Sequence, residues 1–587
     1  VTFSPTSDLR VAPSARLGSP SLARLASLAV FAAVAAFIVL TFRDYGISND
    51  EPVQHTYGQL LLAWYASGFT DDRAFHYINL YLYGGLFDLI AAGFEPYVPL
   101  PLYEWRHLLA AGFGFVGLIG TWRLATRLGG EGAGVVAVLL LAVTGMYGGA
   151  MFTHTKDVPF AAAMVWSLYF ITAFAGEMPA VPRWRTMLGL GVAIGCALGL
   201  RVGGVFAVLY LAVTLGAAML LLRDARLFVR LLPRLLVAGL VALAIMAVTW
   251  PWSLLPPTNL FKALGAFSHF SFDLKTLING QLLPIDQLPA TYMPEYLLIK
   301  LPEVTLFGLL AGLALAAWAL VTRLRAPRIR AGLAATGLSP QHLLLALPLA
   351  LAILVPVAVA VLTDPPLYNG IRHFLFVLPP VTVLASLGLV GAFHALSRQA
   401  RLAGAAFALA ALGLFLFNAS VLWRLHPYEY VAYNQLVGGT PGAWGRFEGD
   451  YWSSSLREAA LALRHGMERE KPPAHPYKVS VCAEDVQALT YLGPRFEAVE
   501  DWEDADFILT ARHVGCDAAP GLPYATVRRM GLAFASVRDQ RLRHMPVEVP
   551  DQDDDGPDLS APDGDAPVVS QNGGPQGAGP QVAKAKP

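Results

Sequence analysis

The chain has 587 residues, 55% of them hydrophobic and only 14% charged, with a mean hydropathy of +0.50. That is too apolar for a soluble protein of this length and indicates a polytopic membrane protein. The 42 basic and 42 acidic residues cancel, so no global basic field exists to recruit nucleic acid.

Apolar runs of roughly 20 residues, enough to cross about 30 Å of hydrocarbon, are predicted near 21–41, 104–122, 132–151, 158–176, 203–222, 231–250, 301–322, 342–362, 374–393 and 402–423. The run at 188–222 is too long for one pass, since about 35 helical residues extend about 50 Å. Gly199, Arg201, Gly203 and Gly204 supply a break, which leaves a short span near 187–200 and gives eleven spans in all. With the N-terminus inside, about 17 arginines fall on inner segments and about 8 basic residues on the longer outer ones. Removing the break would reverse every later loop and erase this bias. The expectation is therefore an α-helical polytopic protein with its N-terminus inside and its C-terminus outside.

Residues 1–20 form the inner N-terminal segment and 21–423 the membrane domain, with a long outer loop at 42–103. The first span runs into Thr41, Phe42 and Arg43 without a small-residue cleavage site, so it is read as a retained helix. Within the first loop, 78–94 is apolar but short and interrupted by Gly84, Gly85 and Asp88, which suggests an interfacial or re-entrant helix rather than a span. Beyond 424, period-2 stretches at 478–482 and 506–511 and a helical pattern at 454–467 predict a small α/β domain over 424–546. From 547 on, Asp, Pro, Gly and Gln dominate and predict a disordered tail. Of three cysteines, Cys482 and Cys516 belong to the outer domain; they would pair in an oxidising compartment or remain two thiols in a small core.

Polar residues in or beside spans are costly and call for a reason. Asp50, Glu51, His55, His154, Lys156, Asp157, Arg201, Lys300, Arg372 and His373 all fall on the outer side of this topology. Snorkelling and helix capping explain any one of them, but the set converges from distant sequence on one membrane level. A carboxylate beside Arg, Lys and His suits a reaction at a lipid phosphate: the cations take up departing charge and the carboxylate takes a proton. A transporter or lipid flippase is the alternative, although its charges should lie near the midplane. No nucleotide-phosphate loop is present, because GGTPGAWG (438–445) lacks a following lysine.

Five segments carry a family resemblance: NDEPVQHTYG (49–58), FTHTKDVPFAA (152–162), TYMPEYLLIKLP (291–302), YNGIRHFLFVLPP (368–380) and HPYEYVAYNQLVGGTPGAWGRFEGDYW (426–452). Together they resemble the GT-C superfamily of membrane glycosyltransferases, in particular the protein O-mannosyltransferase and aminoarabinose transferase group. These take sugars from polyprenyl-phosphate donors on the outer membrane face. The first two segments are shared widely in the group, whereas the last two look specific to a bacterial subgroup. The resemblance implies Asp50 as the base toward the acceptor, Glu51 as its neighbour orienting the acceptor or a cation, and Asp157 as the second outer-loop acid. Arg201 and Arg372, with Lys156 and His373, are the expected ligands of the donor phosphate, unless Arg372 instead clamps Asp364. His55 and His154 are candidate acceptor or cation ligands. Relatives divide over a divalent metal, so that cofactor stays open, with Asp50, Glu51, Asp157, His55 and His154 as the available ligands. The implied partners are a polyprenyl-phosphate sugar, a lipid, protein or glycan acceptor, and membrane lipids, at a bacterial plasma membrane with the site facing the periplasm or exterior. Pro and aromatic residues at 250–257 and 289–296 are expected along the lipid and acceptor path, and Glu448, Asp450, Tyr451 and Trp452 as a cap over the site or a contact for acceptor glycan, or else as packing against the outer loops.

Overall fold

A computed structural model describes residues 21–268, 274–325, 339–471, 473–511 and 519–543. The segments expected at 1–20 and 547–587, and Cys516, lie outside these residues. The chain divides into a large unit, Val1–Ser454 with Arg529–Leu532, and a small one made of Ser455–Arg528 and Ala533–Pro587.

The large unit is helical. Among the described residues nine helices are long and apolar enough to cross a membrane, and the chain is an integral membrane protein. The first, Leu22–Thr41, starts where Ser21 Oγ accepts from the Arg24 amide at 3.2 Å. The longest, Leu102–Ala142, is broken at Gly130, whose φ of +83° only glycine adopts freely. Gly134 then packs against the side chains of Trp122 and Thr126, so the two arms run back alongside each other. The apolar helix Trp184–Leu198 has fifteen residues and ends at Gly199. A short turn at Val202–Gly204 follows and opens Val205–Leu221, so the chain breaks at the glycines around Arg201. Asp157–Glu177 and Arg372–Gln399 are the most enclosed helices, with 83% and 78% of their apolar windows buried, against 11% for Leu22–Thr41 and Arg401–Leu425.

The first loop folds as helix Glu51–Ala66, two short turns and helix Leu86–Phe94, around a core of Tyr57, Leu61, Ala74 and Leu80. Leu86–Phe94 buries Phe87, Asp88, Ala91 and Ala92 against protein. Backbone bonds tie it down: the Gly85 amide donates to Thr249 O at 2.8 Å and the Leu86 amide to Gly199 O at 3.0 Å. A Cβ on Gly84 would lie 2.1 Å from the Gly199 carbonyl, so the loop and the break near Arg201 interlock backbone to backbone. Further on, strands Lys275–Ile278 and Gln281–Pro284 pair in a hairpin turned by Asn279 and Gly280, both with positive φ.

The boundary between the units falls after Ser454, not at 423/424. The Asn434 amide donates to Leu298 O at 2.7 Å and Leu301 O at 2.8 Å, and Glu448 accepts from Thr276 Oγ1 at 2.6 Å and the Leu277 amide at 2.8 Å. These bonds stitch 426–454 to residues 276–301 of the large unit. The small unit is a five-stranded sheet with Phe507–Ala511, buried along its whole length, at the centre. Parallel to it lies Tyr477–Cys482, followed outward by Phe496–Ala498, and Leu532–Asp539 pairs antiparallel on the other side, followed by Leu522–Arg529. Helices Leu456–Met467 and Val486–Leu492 complete it. Cys482 is disulfide-bonded and Cys196, in the membrane unit, is free.

Candidate active site

Asp50 immediately precedes helix Glu51–Ala66, yet its side chain does not cap that helix. Its Oδ2 turns instead to Lys156 Nζ at 3.5 Å and Arg372 Nη2 at 3.3 Å, and the carboxylate keeps 29% exposure. Asp157 is the first residue of Asp157–Glu177, and the capping position before it is taken by Lys156. Freed from capping, Asp157 pairs with Arg201 and stands 3.6 Å from Arg372 Nε. Arg372 therefore spans both carboxylates and is not a partner of Asp364. Five of the expected residues, contributed by four separate stretches of chain, form one network in which three cations meet two anions.

Aromatic rings support the cations. Lys156 Nζ lies 4.7 Å and Arg201 Cζ 5.7 Å from the Tyr83 centroid, while Arg372 Cζ lies 5.0 Å from Tyr368 and 4.4 Å from Trp452. Burial opposes the charge on Asp50, but Lys156, Arg372 and Arg201 outweigh it and hold the carboxyl below its ordinary value. Burial lowers the Lys156 ammonium, with the two arginines adding to the shift and Asp50 opposing it. Capacity for an anion remains. Arg201 Nε has no hydrogen-bond partner among the described residues, and Arg372 Nε is beyond bonding reach of Asp157. One uncompensated positive charge, unspent guanidinium donors and the N-terminal ends of two deeply enclosed helices all favour an oxyanion such as phosphate.

Other expected residues sit elsewhere. Glu51 is fully buried, and its Oε2 accepts from the Ser48 amide at 2.8 Å and hydroxyl at 3.1 Å and meets His107 Nε2 at 3.2 Å. It holds the turn that carries Asp50, and among the described residues its ion-pair partner is His107 and not a member of the network. His55 points to Glu95 at 3.6 Å. His154 is buried with both nitrogens engaged, so it offers no lone pair to a cation or acceptor. His373 packs edge-on to Tyr368 at 4.8 Å, and its buried Nδ1 has no hydrogen-bond partner among the described residues. Among the described residues no group of three or more His, Cys, Asp or Glu is arranged to hold a metal. Of the five suggested ligands, Asp50 and Asp157 already face cations, Glu51 pairs with His107, His55 with Glu95, and His154 has both nitrogens engaged.

Trp250, Tyr292 and Tyr296 do not line an open path. They are buried because each polar end finds a partner inside: the Trp250 indole donates to Tyr81 O at 2.8 Å, the Gly370 amide donates to Tyr292 Oη at 3.0 Å, and Tyr296 donates to Leu277 O. Lys300 is likewise buried, donating to Tyr430 O at 3.1 Å above the Tyr433 ring. Asp450 accepts from Tyr430 and the Ser454 amide, so it serves as an internal anchor for the segment that delivers Tyr451 and Trp452.

Sequence reasoning assigned no role to Tyr83, Tyr368 or the buried pair Arg106–Asp88, 3.0 Å apart. The pair had a usable signal, a carboxylate interrupting an apolar helix and an arginine near the start of the next span; the tyrosines had none.

Residues 107–252 match the family model of dolichyl-phosphate-mannose-protein mannosyltransferases, a stretch that contains His154, Lys156, Asp157 and Arg201. Among solved structures, the chain is similar to ArnT from Cupriavidus metallidurans bound to undecaprenyl phosphate, at 16% identity over 87% of this chain and 97% of that one, with a TM-score of 0.44. It is similar to the Archaeoglobus fulgidus oligosaccharyltransferase tethered to an acceptor peptide, at 13% identity over 82% and 64% and a TM-score of 0.41. The mycobacterial arabinofuranosyltransferase AftD gives 14% identity over 89% and 40% and a TM-score of 0.42. No curated protein matches the chain. The resemblance to polyprenyl-phosphate-dependent membrane glycosyltransferases drawn from the motifs thus has a family match behind it over 107–252.

Proposed function

We propose that this protein is a glycosyltransferase that moves a sugar from a polyprenyl-phosphate donor to a lipid, protein or glycan acceptor on the outer face of a bacterial plasma membrane, with Asp50 as general base and inversion at the anomeric carbon. The reading includes eleven passes, counting the two arms of the long helix and the short Trp184–Leu198 helix, with the N-terminus inside. The observation that carries it is the meeting of Asp50 with Arg372, Lys156, Asp157 and Arg201 in one part-exposed network.

Asp50 is kept ionised by its neighbours and accepts the proton of the acceptor hydroxyl or amine. The acceptor heteroatom attacks the anomeric carbon as the bond from that carbon to the phosphate oxygen breaks, and the electron pair leaves with the phosphate. Arg201 and Arg372 neutralise the growing charge, Lys156 adds a point charge, and Asp157 keeps both guanidinium groups in place. A base in this role contributes about 10²- to 10⁴-fold, and each well-placed donor on the leaving group about 10²- to 10³-fold. Before the donor arrives Asp50 occupies the cations; an incoming phosphate competes for them and so releases the base.

Proteoliposomes containing the full chain and a panel of radiolabelled undecaprenyl-phosphate sugars test the reading. Label passing from donor to an added outer-membrane or glycan fraction is expected. Failure of every donor with the wild-type protein would sink it.

A further inference from the structure

We propose that His154 is a positioning residue whose Nε2, by accepting hydrogen bonds from both the Trp452 indole and the Tyr451 hydroxyl, fixes the indole face against the Arg372 guanidinium. The functional half of this inference rests on the reading of Arg372 as a phosphate ligand. The distances are 3.0 Å from Trp452 Nε1 and 2.7 Å from Tyr451 Oη to His154 Nε2. On the other side of the ring Nδ1 lies 3.1 Å from Thr153 Oγ1. An indole N–H can only donate, so Nε2 is the acceptor and the partners assign the ring proton to Nδ1. The rings of Tyr430, Tyr451 and Trp452 stand steeply tilted around the imidazole at 5.4, 5.8 and 5.6 Å, closing it off from solvent.

The charge state follows from the same geometry. A protonated Nε2 would point an N–H at an N–H, and burial pushes the imidazole down to about 3, with Arg372 adding to the shift and Asp157 and Asp50 opposing it. His154 is therefore a neutral acceptor throughout the working pH range. It does not titrate in the reaction.

Arg372 Cζ lies over both the Trp452 and the Tyr368 rings. A ring in contact with a guanidinium restricts its orientation, and that orientation decides which N–H groups reach Asp50, Asp157 and an incoming phosphate. Losing the acceptor strands two buried donors, so the indole turns to find another partner and the guanidinium turns with it.

The test uses the full chain in nanodiscs with ¹⁵N-labelled tryptophan and undecaprenyl phosphate as the probe. In His154→Phe, which keeps an aromatic ring but has no acceptor, the Trp452 indole N–H resonance, assigned by its loss in Trp452→Phe, is expected to shift, and lipid binding to weaken about tenfold, the size of one lost buried hydrogen bond. His154→Gln restores an acceptor near the Nε2 position and should keep the resonance and bind within about threefold of wild type. Trp452→Phe should weaken binding as His154→Phe does, and the double variant no further, because both remove the same bond. An unmoved resonance in His154→Phe overturns the positioning claim. A shifted resonance with unchanged lipid binding, or multiplying losses in the double variant, overturns the link to Arg372. If wild type binds no undecaprenyl phosphate, the phosphate reading falls and takes that link with it, while the resonance still decides the hydrogen bond.

Discussion

Arg372 Nη2 lies 3.3 Å from Asp50 Oδ2, although 322 residues separate the two in sequence. The same guanidinium stands 3.6 Å from Asp157 through Nε, so it joins the proposed base to the carboxylate proposed to hold the phosphate clamp. A single ammonium cannot span both. Arg372→Ala is expected to lower the transfer rate by about 100-fold or more, and Arg372→Lys to recover only a minor part of that loss despite keeping the charge. Initial rates at matched protein amounts decide it; full activity in the lysine variant would mean that charge alone suffices.

The acid side of the pH profile follows from the sign of the Asp50 shift. A carboxyl held below its ordinary value stays ionised as pH falls through the usual carboxylate range, and its ion pairs, present above the unfolded value, are lost only as pH drops through the folded one. His154, at about 3, contributes no change near neutrality. The donor kcat/KM should therefore stay level from about pH 7 to about pH 5. An inflection near the histidine range that disappears in His154→Gln would contradict this assignment.

Glu51 and Asp50 are adjacent in sequence but separate in role. Glu51→Ala leaves the Ser48 amide and His107 without their buried acceptor, which should cost about 1–3 kcal/mol of stability. Glu51→Gln should retain transfer within about tenfold, since it keeps an acceptor for the Ser48 amide. Thermal unfolding and transfer measured together separate the two effects; loss of transfer in Glu51→Gln with an unchanged unfolding midpoint would return Glu51 to the chemistry.

This contrast shows which parts of the site were legible. Asp50, Lys156, Asp157, Arg201 and Arg372 could be picked out because charge at a membrane boundary is costly, and positive-inside bookkeeping put them on one side. Orientation was not legible. Glu51 and His154 have the same residue chemistry as a base or ligand, and only the fold reveals that Glu51 Oε2 is already engaged by Ser48 and His107 and the His154 ring by Thr153, Trp452 and Tyr451. Tyr83 and Tyr368 were invisible because aromatic residues are common in apolar chains and nothing in their spacing marks a cation beside them. The break at Gly199–Arg201 was readable from the length of the run, its glycines and the arginine bias, whereas the inward tie of 426–454 was not, because side chains such as Asn434 and Glu448 that make it leave no periodic trace.

The interlock of Gly84 with Gly199 gives a prediction away from the charges. A methyl group on Gly84 meets the Gly199 carbonyl backbone at 2.1 Å, so the loop must move and carry the neighbouring Tyr83 from beneath Lys156 and Arg201. Gly84→Ala is expected to lower transfer at least about tenfold or to reduce the folded yield by gel filtration. Gly112→Ala, where a Cβ meets nothing within 4 Å, is the control and should behave as wild type. Normal transfer in Gly84→Ala would show that the tyrosine position does not matter.

Asp50→Asn, measured for donor binding and transfer on one preparation, is the most direct test of the central claim. Removing the carboxylate frees Lys156 and Arg372 for phosphate, so undecaprenyl phosphate should bind as tightly as to wild type or several-fold more tightly, while single-turnover transfer falls by about 10²- to 10⁴-fold. Transfer within tenfold of wild type with binding intact would contradict Asp50 as the base.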